Sequence, residues 1–419
     1  MKKDILYTLA SQFIIIISVL LSYKISAFLY GKQGFSEYSL IKRNISLISP
    51  IILLGLGTSL TRYIALSLNN KSKVNNYFLI SFCIVLLVTI ILKLLIFIFP
   101  NNISFILYGK YEYKKFIYPM LMVLIGLSLH VLIYSYYRGQ LFMKKANILQ
   151  IINLGIAPLV GFLFAKSPED ANLNYGLIML IITFPIAIKI ILKSNIFDSK
   201  IYIDSKKLIK YGIQRVPGDF GIMALFSLPV LISTHIFGVT TGGYIAFGIA
   251  LLNMSGQIAT PVGIVMLPKI SQLISLKKIQ TINKLIKNIF ILILVLSLTI
   301  WIFYNIFADT ILSLYLGNNN EEILHITKII SIGVIAFMLY VALRGPVDAF
   351  YKKGINTINI MIGLIVSIIS YLLLYYINII NNIDNIIYVF LLGIYTIMFL
   401  TIKTLTSISR NYYENSNDM

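Results

Sequence analysis

The chain reads as an all-α polytopic membrane protein, with about 12 transmembrane helices in two six-helix lobes around a central cavity. Three observations predict this. About a dozen apolar runs of roughly 20 residues, the length that crosses a bilayer as helix, take up most of the 419 residues. The polar segments between them are mostly under about 15 residues, too short to fold alone. The composition is 58% hydrophobic and 12% charged, where a soluble domain carries about twice that charged fraction. Any function must then sit between helices inside the membrane, which excludes most enzyme classes and points to transport.

The runs place spans at 5–30, 37–67, 75–99, 115–141, 147–165, 173–193, 208–236, 243–269, 286–307, 323–350, 355–376 and 386–409. The first follows Lys2-Lys3-Asp4 and runs on to about Tyr30 without a cleavage site. It therefore reads as an uncleaved span rather than a signal peptide. Charged residues mark most of the later boundaries in order. Lys71 and Lys73 precede the third span, Lys110, Lys114 and Lys115 the fourth, Lys144 and Lys145 the fifth, and Glu169 and Asp170 the sixth. The run from Lys193 to Lys207 precedes the seventh, Lys277 to Lys287 the ninth, Asp309, Glu321 and Glu322 the tenth, Lys352 and Lys353 the eleventh, and Asp384 the twelfth. Several spans exceed the bilayer minimum, so tilt is expected.

With the N-terminus inside, the lysine-rich connections fall on the inner side and the acidic ones outside, except for Lys110, Lys114 and Lys115. Both termini are then cytoplasmic. The net charge of +20 needs no nucleic acid, because inner loops of membrane proteins collect Lys and Arg. The lone Cys83 can form no internal disulfide and reads as packing.

The chain repeats itself about its midpoint. The fourth span ends in Arg138-Gly139, then Phe142-Met143-Lys144-Lys145, and the tenth in Arg344-Gly345, then Phe350-Tyr351-Lys352-Lys353. Gly155 and Gly363 follow at the same distance. Gly31 to Tyr38 also resembles Gly238 to Tyr244, and Pro50 and Pro261 lie within the second and eighth spans. Six spans per copy give both halves one orientation, a parallel repeat of the kind that rocks two lobes about a substrate. The expected division is a lobe at 1–193, a linker at 194–207, a second lobe at 208–410 and a cytoplasmic tail at 411–419.

Arginine is the sharpest local signal. Of the 35 cations only six are Arg, and five of these, Arg43, Arg62, Arg138, Arg215 and Arg344, lie in or at the edge of apolar spans. A guanidinium binds phosphate bidentately and stays charged when partly buried. Arg62, Arg138, Arg215 and Arg344 fall roughly two turns from the cytoplasmic edge. They either ring a vestibule for an anionic head group or snorkel to the interface. Arg215-Val216-Pro217-Gly218-Asp219 and Arg344-Gly345-Pro346-Val347-Asp348 share R-x-P-x-D. Each Arg–Asp set either pairs along one helix face or forms a gate or ion site at a bend made by Pro217 or Pro346. Lys24 and Arg43 are candidates for a deeper phosphate site, with Glu37 neutralising one of them or carrying a coupling ion. Lys269 is a phosphate candidate or an interfacial anchor. His130 and His235 are either packed uncharged groups or a proton relay. No His/Cys/carboxylate cluster has metal spacing. No P-loop or dinucleotide fingerprint occurs, so no cofactor is expected.

Gly31-Lys32-Gln33-Gly34-Phe35-Ser36-Glu37-Tyr38-Ser39-Leu40, then Gly55-Leu56-Gly57 and Arg62-Tyr63, resemble the first-to-second-span signature of polysaccharide-lipid flippases. These are the Wzx-type O-antigen and capsule transporters of the multidrug/oligosaccharidyl-lipid/polysaccharide (MOP) superfamily. Tyr211-Gly212-Ile213-Gln214-Arg215-Val216-Pro217 resembles the start of their seventh span, and Leu267-Pro268-Lys269-Ile270-Ser271 the inner end of their eighth. The resemblance covers the whole chain. It implies a MATE-like two-lobed fold in the bacterial inner membrane and no enzymatic activity. It implies flipping of an undecaprenyl-diphosphate-linked oligosaccharide, an O-antigen, capsule or related glycan unit, from the cytoplasmic to the periplasmic leaflet by alternating access. It implies diphosphate contacts at Lys24, Arg43, Arg62, Arg215 and Lys269; Arg138 and Arg344 rest on the charge argument alone. Coupling to an H+ or Na+ gradient would run through Glu37, Asp219 or Asp348. Expected partners are the lipid-linked glycan, membrane lipids, and a glycan polymerase with its chain-length machinery; nucleic acid is not among them. The competing readings are an ion-coupled multidrug exporter of the same superfamily, for which acidic or aromatic lining is expected, and a membrane glycan polymerase, for which a long outer loop is expected.

Overall fold

The computed structural model describes residues 2–194, 201–276, 278–316, 320–351 and 354–417. The regular structure among them is helical throughout: α1 (Lys2–Leu53), α2 (Leu56–Ala65), α3 (Lys71–Ile98), α4 (Pro100–Tyr108), α5 (Ile117–Gly139), α6 (Met143–Gln150), α7 (Ala157–Val160), α8 (Pro168–Ile191), α9 (Ile201–Ile213), α10 (Val216–Phe237), α11 (Val239–Ser275), α12 (Ile279–Leu316), α13 (Glu321–Ser331), α14 (Gly333–Phe350), α15 (Ile355–Tyr376) and α16 (Ile383–Asn417). A 3-10 turn, Tyr111–Phe116, leads into α5, and a π-helical turn, Ile151–Ile156, joins α6 to α7.

Ten helices among the described residues are long and apolar enough to cross a membrane. Each of the predicted spans falls on helix, but not one span to one helix: 208–236 takes in α9 and α10, and 323–350 takes in α13 and α14. The stretch Tyr7–Leu53 carries the first span and the first part of the second, which α2 completes; it is turned at Gly31, whose φ is 64°. An L residue with a side chain is strained there, and glycine is not. The fifth span is α6, the π turn and α7 in series, none of them long enough alone. Membrane-facing rows are apolar: Leu86, Leu87, Ile90, Ile91, Leu94 and Leu95 of α3 are all exposed, which only a lipid surround accommodates at this density. The chain is a multi-pass membrane protein.

Two compact units are present. One holds Met1–Phe220 with Phe237–Gly243, the other Gly221–Ile236 with Tyr244–Met419. Residues 208–220, expected to open the second lobe, group with the first unit, because α9 packs on α2 and α3. The expected linker lies partly outside the described residues, at 195–200. In the first unit α5 and α8 pack most extensively, with Gly126 and Gly176 letting the two backbones approach. An aromatic cluster of Tyr23, Phe35, Tyr38 and Phe162 fills its interior. The second unit is centred on Phe226, Phe337 and Phe390.

The repeat is visible within each unit. In the first, Gly139 at the end of α5 packs on Thr61 and Ile64 of α2; in the second, Gly345 in α14 packs on the Gly263 backbone of α11. The fourth span thus meets the second through the R-G glycine, and the tenth meets the eighth in the same way. The fifth and eleventh spans each begin with two buried amides three positions apart, Asn147 with Gln150 and Asn356 with Asn359. Counted from the Lys pairs the two glycines stand at the same distance, but counted from the amides Gly155 comes one residue later than Gly363. The π turn lies at that extra residue, where i→i+5 bonding absorbs it. Lys352 and Lys353 of the repeat lie outside the described residues.

Candidate functional site: an arginine pair on one tyrosine

The site begins with a break in the chain. After α1, Leu54 (φ 45°) and Gly55 (φ 68°) turn the backbone into α2. A Cβ on Gly55 would collide with the Gly212 carbonyl, and one on Gly212 with the Leu54 carbonyl. The end of α9 therefore crosses this turn backbone against backbone. Two turns further along α2 stands Arg62. On the other side α9 stops at Ile213 and α10 begins at Val216, with Pro217 in its first turn. The N–H that proline lacks would have no partner there anyway. Arg215 occupies the break. Its N–H donates to the Gly212 carbonyl at 2.9 Å, and its own carbonyl accepts from the Asp219 N–H at 3.0 Å.

The crossing brings both guanidiniums onto Tyr211. Arg62 Cζ lies 4.6 Å from the ring centroid and Arg215 Cζ 5.2 Å. Arg215 Nη2 donates to Tyr211 Oη at 3.0 Å. Tyr63 meets the same ring edge-on at 6.1 Å. Both arginines are exposed, and among the described residues neither is ion-paired with a carboxylate. Cation–π contact orients the two forks, and apart from the Arg215 Nη2 bond to Tyr211 it leaves N–H donors directed outward for a ligand. Two like charges held on one ring, open to solvent, have the donor geometry to take phosphate-like oxygens bidentately.

The other predicted residues divide. Arg138 is exposed at the end of α5 and stands over Tyr134 at 5.4 Å. Its helix adjoins α2 at Gly139, but its ring is not the one that Arg62 and Arg215 share. Lys24 is exposed and Arg43 is 6% exposed, so the two differ sharply in environment. Lys42, beside Arg43, lies 5.4 Å from the Tyr23 ring centroid and 4.9 Å from that of Tyr38. Glu37 is buried and accepts from Gln33 Nε2 at 3.0 Å; on the same unit Lys115 and Glu169 form an ion pair at 2.8 Å. Lys269 is exposed on α11. Pro346 stays inside α14, which continues past it. Asp348 is bonded not to Arg344 but to Asn356 Nδ2 at 2.7 Å, and the same amide reaches the Arg344 carbonyl at 2.9 Å. His130 is buried, accepts from Asn153 Nδ2 at 3.1 Å and stacks on Tyr134. His235 is exposed and bonded to the Leu231 carbonyl at 2.8 Å.

Tyr211 and Lys42 are the residues that the arginine argument passed over. Tyr211 stands four positions before Arg215, a spacing that puts both on one helix face, and that was the available signal. Lys42 had none beyond its neighbour.

Residues 1–274 match the family model described as polysaccharide biosynthesis protein. No protein of curated function matches the chain. Among solved structures, a multidrug resistance MATE family transporter of the MOP superfamily in its inward-facing conformation aligns with TM-score 0.78 at 11% identity, over 97% of this chain and 98% of that one. A eukaryotic MATE transporter, AtDTX14, aligns with TM-score 0.64 at 14% identity over 99% and 98%. A MOP superfamily transporter from Pyrococcus furiosus, with a binding pocket of reversed polarity that suggests a different function, aligns with TM-score 0.62 at 13% identity over 97% and 96%. These likenesses are of fold. The chain belongs to the polysaccharide biosynthesis protein family and has the fold of the MOP-superfamily transporters.

Proposed function

We propose that this protein is a flippase that moves an undecaprenyl-diphosphate-linked oligosaccharide from the cytoplasmic to the periplasmic leaflet of a bacterial inner membrane by alternating access. The observation that carries the reading is the arginine pair on Tyr211, a double positive charge with no carboxylate paired to it among the described residues. An exporter of organic cations has no use for that charge, and a diphosphate does. The family match supports a glycan-related cargo, and the fold supports transport rather than catalysis. In this reading both termini are cytoplasmic, so Arg62, Arg138 and Arg215 face the side on which the lipid-linked unit is made. The inside-negative potential favours outward movement of an anionic head. An H+ or Na+ gradient acting through Glu37, Asp219 or Asp348 is the remaining energy source, and a glycan polymerase on the far leaflet is the consumer.

The test is transfer of an undecaprenyl-diphosphate-linked glycan between leaflets of proteoliposomes, set beside uptake of a cationic dye. Protein-dependent glycan transfer without dye uptake supports the flippase. Dye uptake under an ion gradient without glycan transfer replaces it with the drug-exporter reading.

A further inference from the structure

The second unit carries a polar cluster of different chemistry. At the end of α14, Arg344 and Asp348 are exposed one turn apart, while Gly345, Pro346 and Val347 between them are buried. At the start of α15, Asn356 and Asn359 are 8% and 4% exposed. Asn356 Nδ2 is used up by Asp348 and by the Arg344 carbonyl. Asn356 Oδ1 and Asn359 Nδ2, however, are buried with no hydrogen-bond partner. A buried amide left half-satisfied costs free energy, and natural structures keep such groups where something else completes them. Beside them Tyr351 is half-buried against Leu343, Val347 and Leu405.

We propose that Arg344, Asp348, Asn356 and Asn359 form a binding site for a neutral, polyhydroxylated group, the sugar portion of a glycan. The donor and acceptor inventory fits hydroxyls, which both give and take hydrogen bonds. Asp348 and Asn356 Oδ1 accept; Arg344 and Asn359 Nδ2 donate. The carboxylate decides against phosphate here. It stands one turn from Arg344 and repels an anion at short range, whereas among the described residues no carboxylate is paired with Arg62 or Arg215. The two units thus offer different chemistry, one for a charged group and one for an uncharged polar group. That the sugar arrives attached to a lipid diphosphate rests on the flippase reading; the site's preference for hydroxyls does not.

The experiment uses the full chain in lipid nanodiscs and follows its thermal unfolding midpoint with two kinds of probe. The neutral probes are N,N′-diacetylchitobiose, lactose and sucrose at millimolar concentration. The anionic probe is pyrophosphate. At least one disaccharide is expected to raise the midpoint. Asp348→Asn and Asn359→Leu are each expected to raise the half-maximal sugar concentration roughly tenfold or more, because a site built on hydrogen bonds discriminates by leaving groups unpaired. Arg62→Ala is expected to keep the sugar effect and lose the pyrophosphate effect. If Asn359→Leu does not fold, Asp348→Asn, which keeps the shape, decides alone. No response to any of the three sugars, or an unchanged sugar response in the Asp348→Asn protein, overturns the proposal. A sugar response without a pyrophosphate response leaves this site standing and removes the anion site from the flippase reading.

Discussion

Gly55 and Gly212 meet backbone to backbone, and that contact sets the geometry of the arginine pair. Gly55 turns the chain from α1 into α2, and Gly212 is the point where α9 crosses the turn. Neither position has room for a methyl group. Gly212→Ala must push α9 off α2, at a cost of about 1–3 kcal/mol for overpacking. Gly55→Ala adds about 1–2 kcal/mol for a side chain at positive φ. Both variants are expected to unfold at lower temperature in detergent, Gly55→Ala more so. An unchanged midpoint in both would mean that the crossing is looser than described.

Tyr211 is the shared support of the pair, and a graded series at this position separates ring from hydroxyl. Tyr211→Phe keeps both cation–π contacts and loses one hydrogen bond. Tyr211→Leu loses everything. At an exposed site each cation–π contact is worth about 0.5–1 kcal/mol. Pyrophosphate affinity, measured by calorimetry on the detergent-solubilised protein, is then expected to fall slightly for Phe and by up to roughly five- to thirtyfold for Leu, which loses both contacts. Equal loss for both variants would shift the role to the hydroxyl alone.

Asn153 donates to buried His130 from within the π turn. Asn153→Leu leaves the ring nitrogen buried without a partner, at about 1–3 kcal/mol. His130→Phe in the same chain removes the orphaned group and is expected to restore part of the loss. A double variant no more stable than Asn153→Leu alone would argue against the bond.

Gly31 has φ 64° and nothing within 4 Å of a Cβ placed on it, so a substitution there tests conformation without steric conflict. Gly31→Ala is expected to cost about 1–2 kcal/mol, and Gly31→Asn less, since asparagine tolerates this region. Thermal unfolding of the two variants against the parent reads the difference; an equal, negligible effect would mean that the turn between the first two spans relaxes.

Much of the fold was legible because lipid enforces it. Apolar length locates the spans and charged residues mark their ends, so the runs from Tyr7 to Tyr376 could be read as helices from hydropathy alone. The fifth span was legible as apolar but not as α6, a π turn and α7, because one extra residue before Gly155 leaves no mark in composition. The arginines were legible as costly residues in apolar surroundings. Their grouping was not, because Arg62 and Arg215 lie far apart in the chain and meet only through a glycine crossing. R-x-P-x-D looked like one motif used twice. It opens α10 around Pro217 but runs through α14 around Pro346, and Asp348 turns to Asn356 because the start of α15 packs there. Side-chain partners supplied by another helix are what a single sequence withholds.

The most direct test of the central claim is the rate of leaflet-to-leaflet transfer of an undecaprenyl-diphosphate-linked glycan in proteoliposomes holding the parent protein, Arg62→Ala or Arg215→Ala. Loss of one charge-assisted bidentate contact removes about 1.5–3 kcal/mol. The expected result is protein-dependent transfer that slows by roughly tenfold or more in each variant. Transfer at the parental rate in both variants, with normal insertion, would contradict the account.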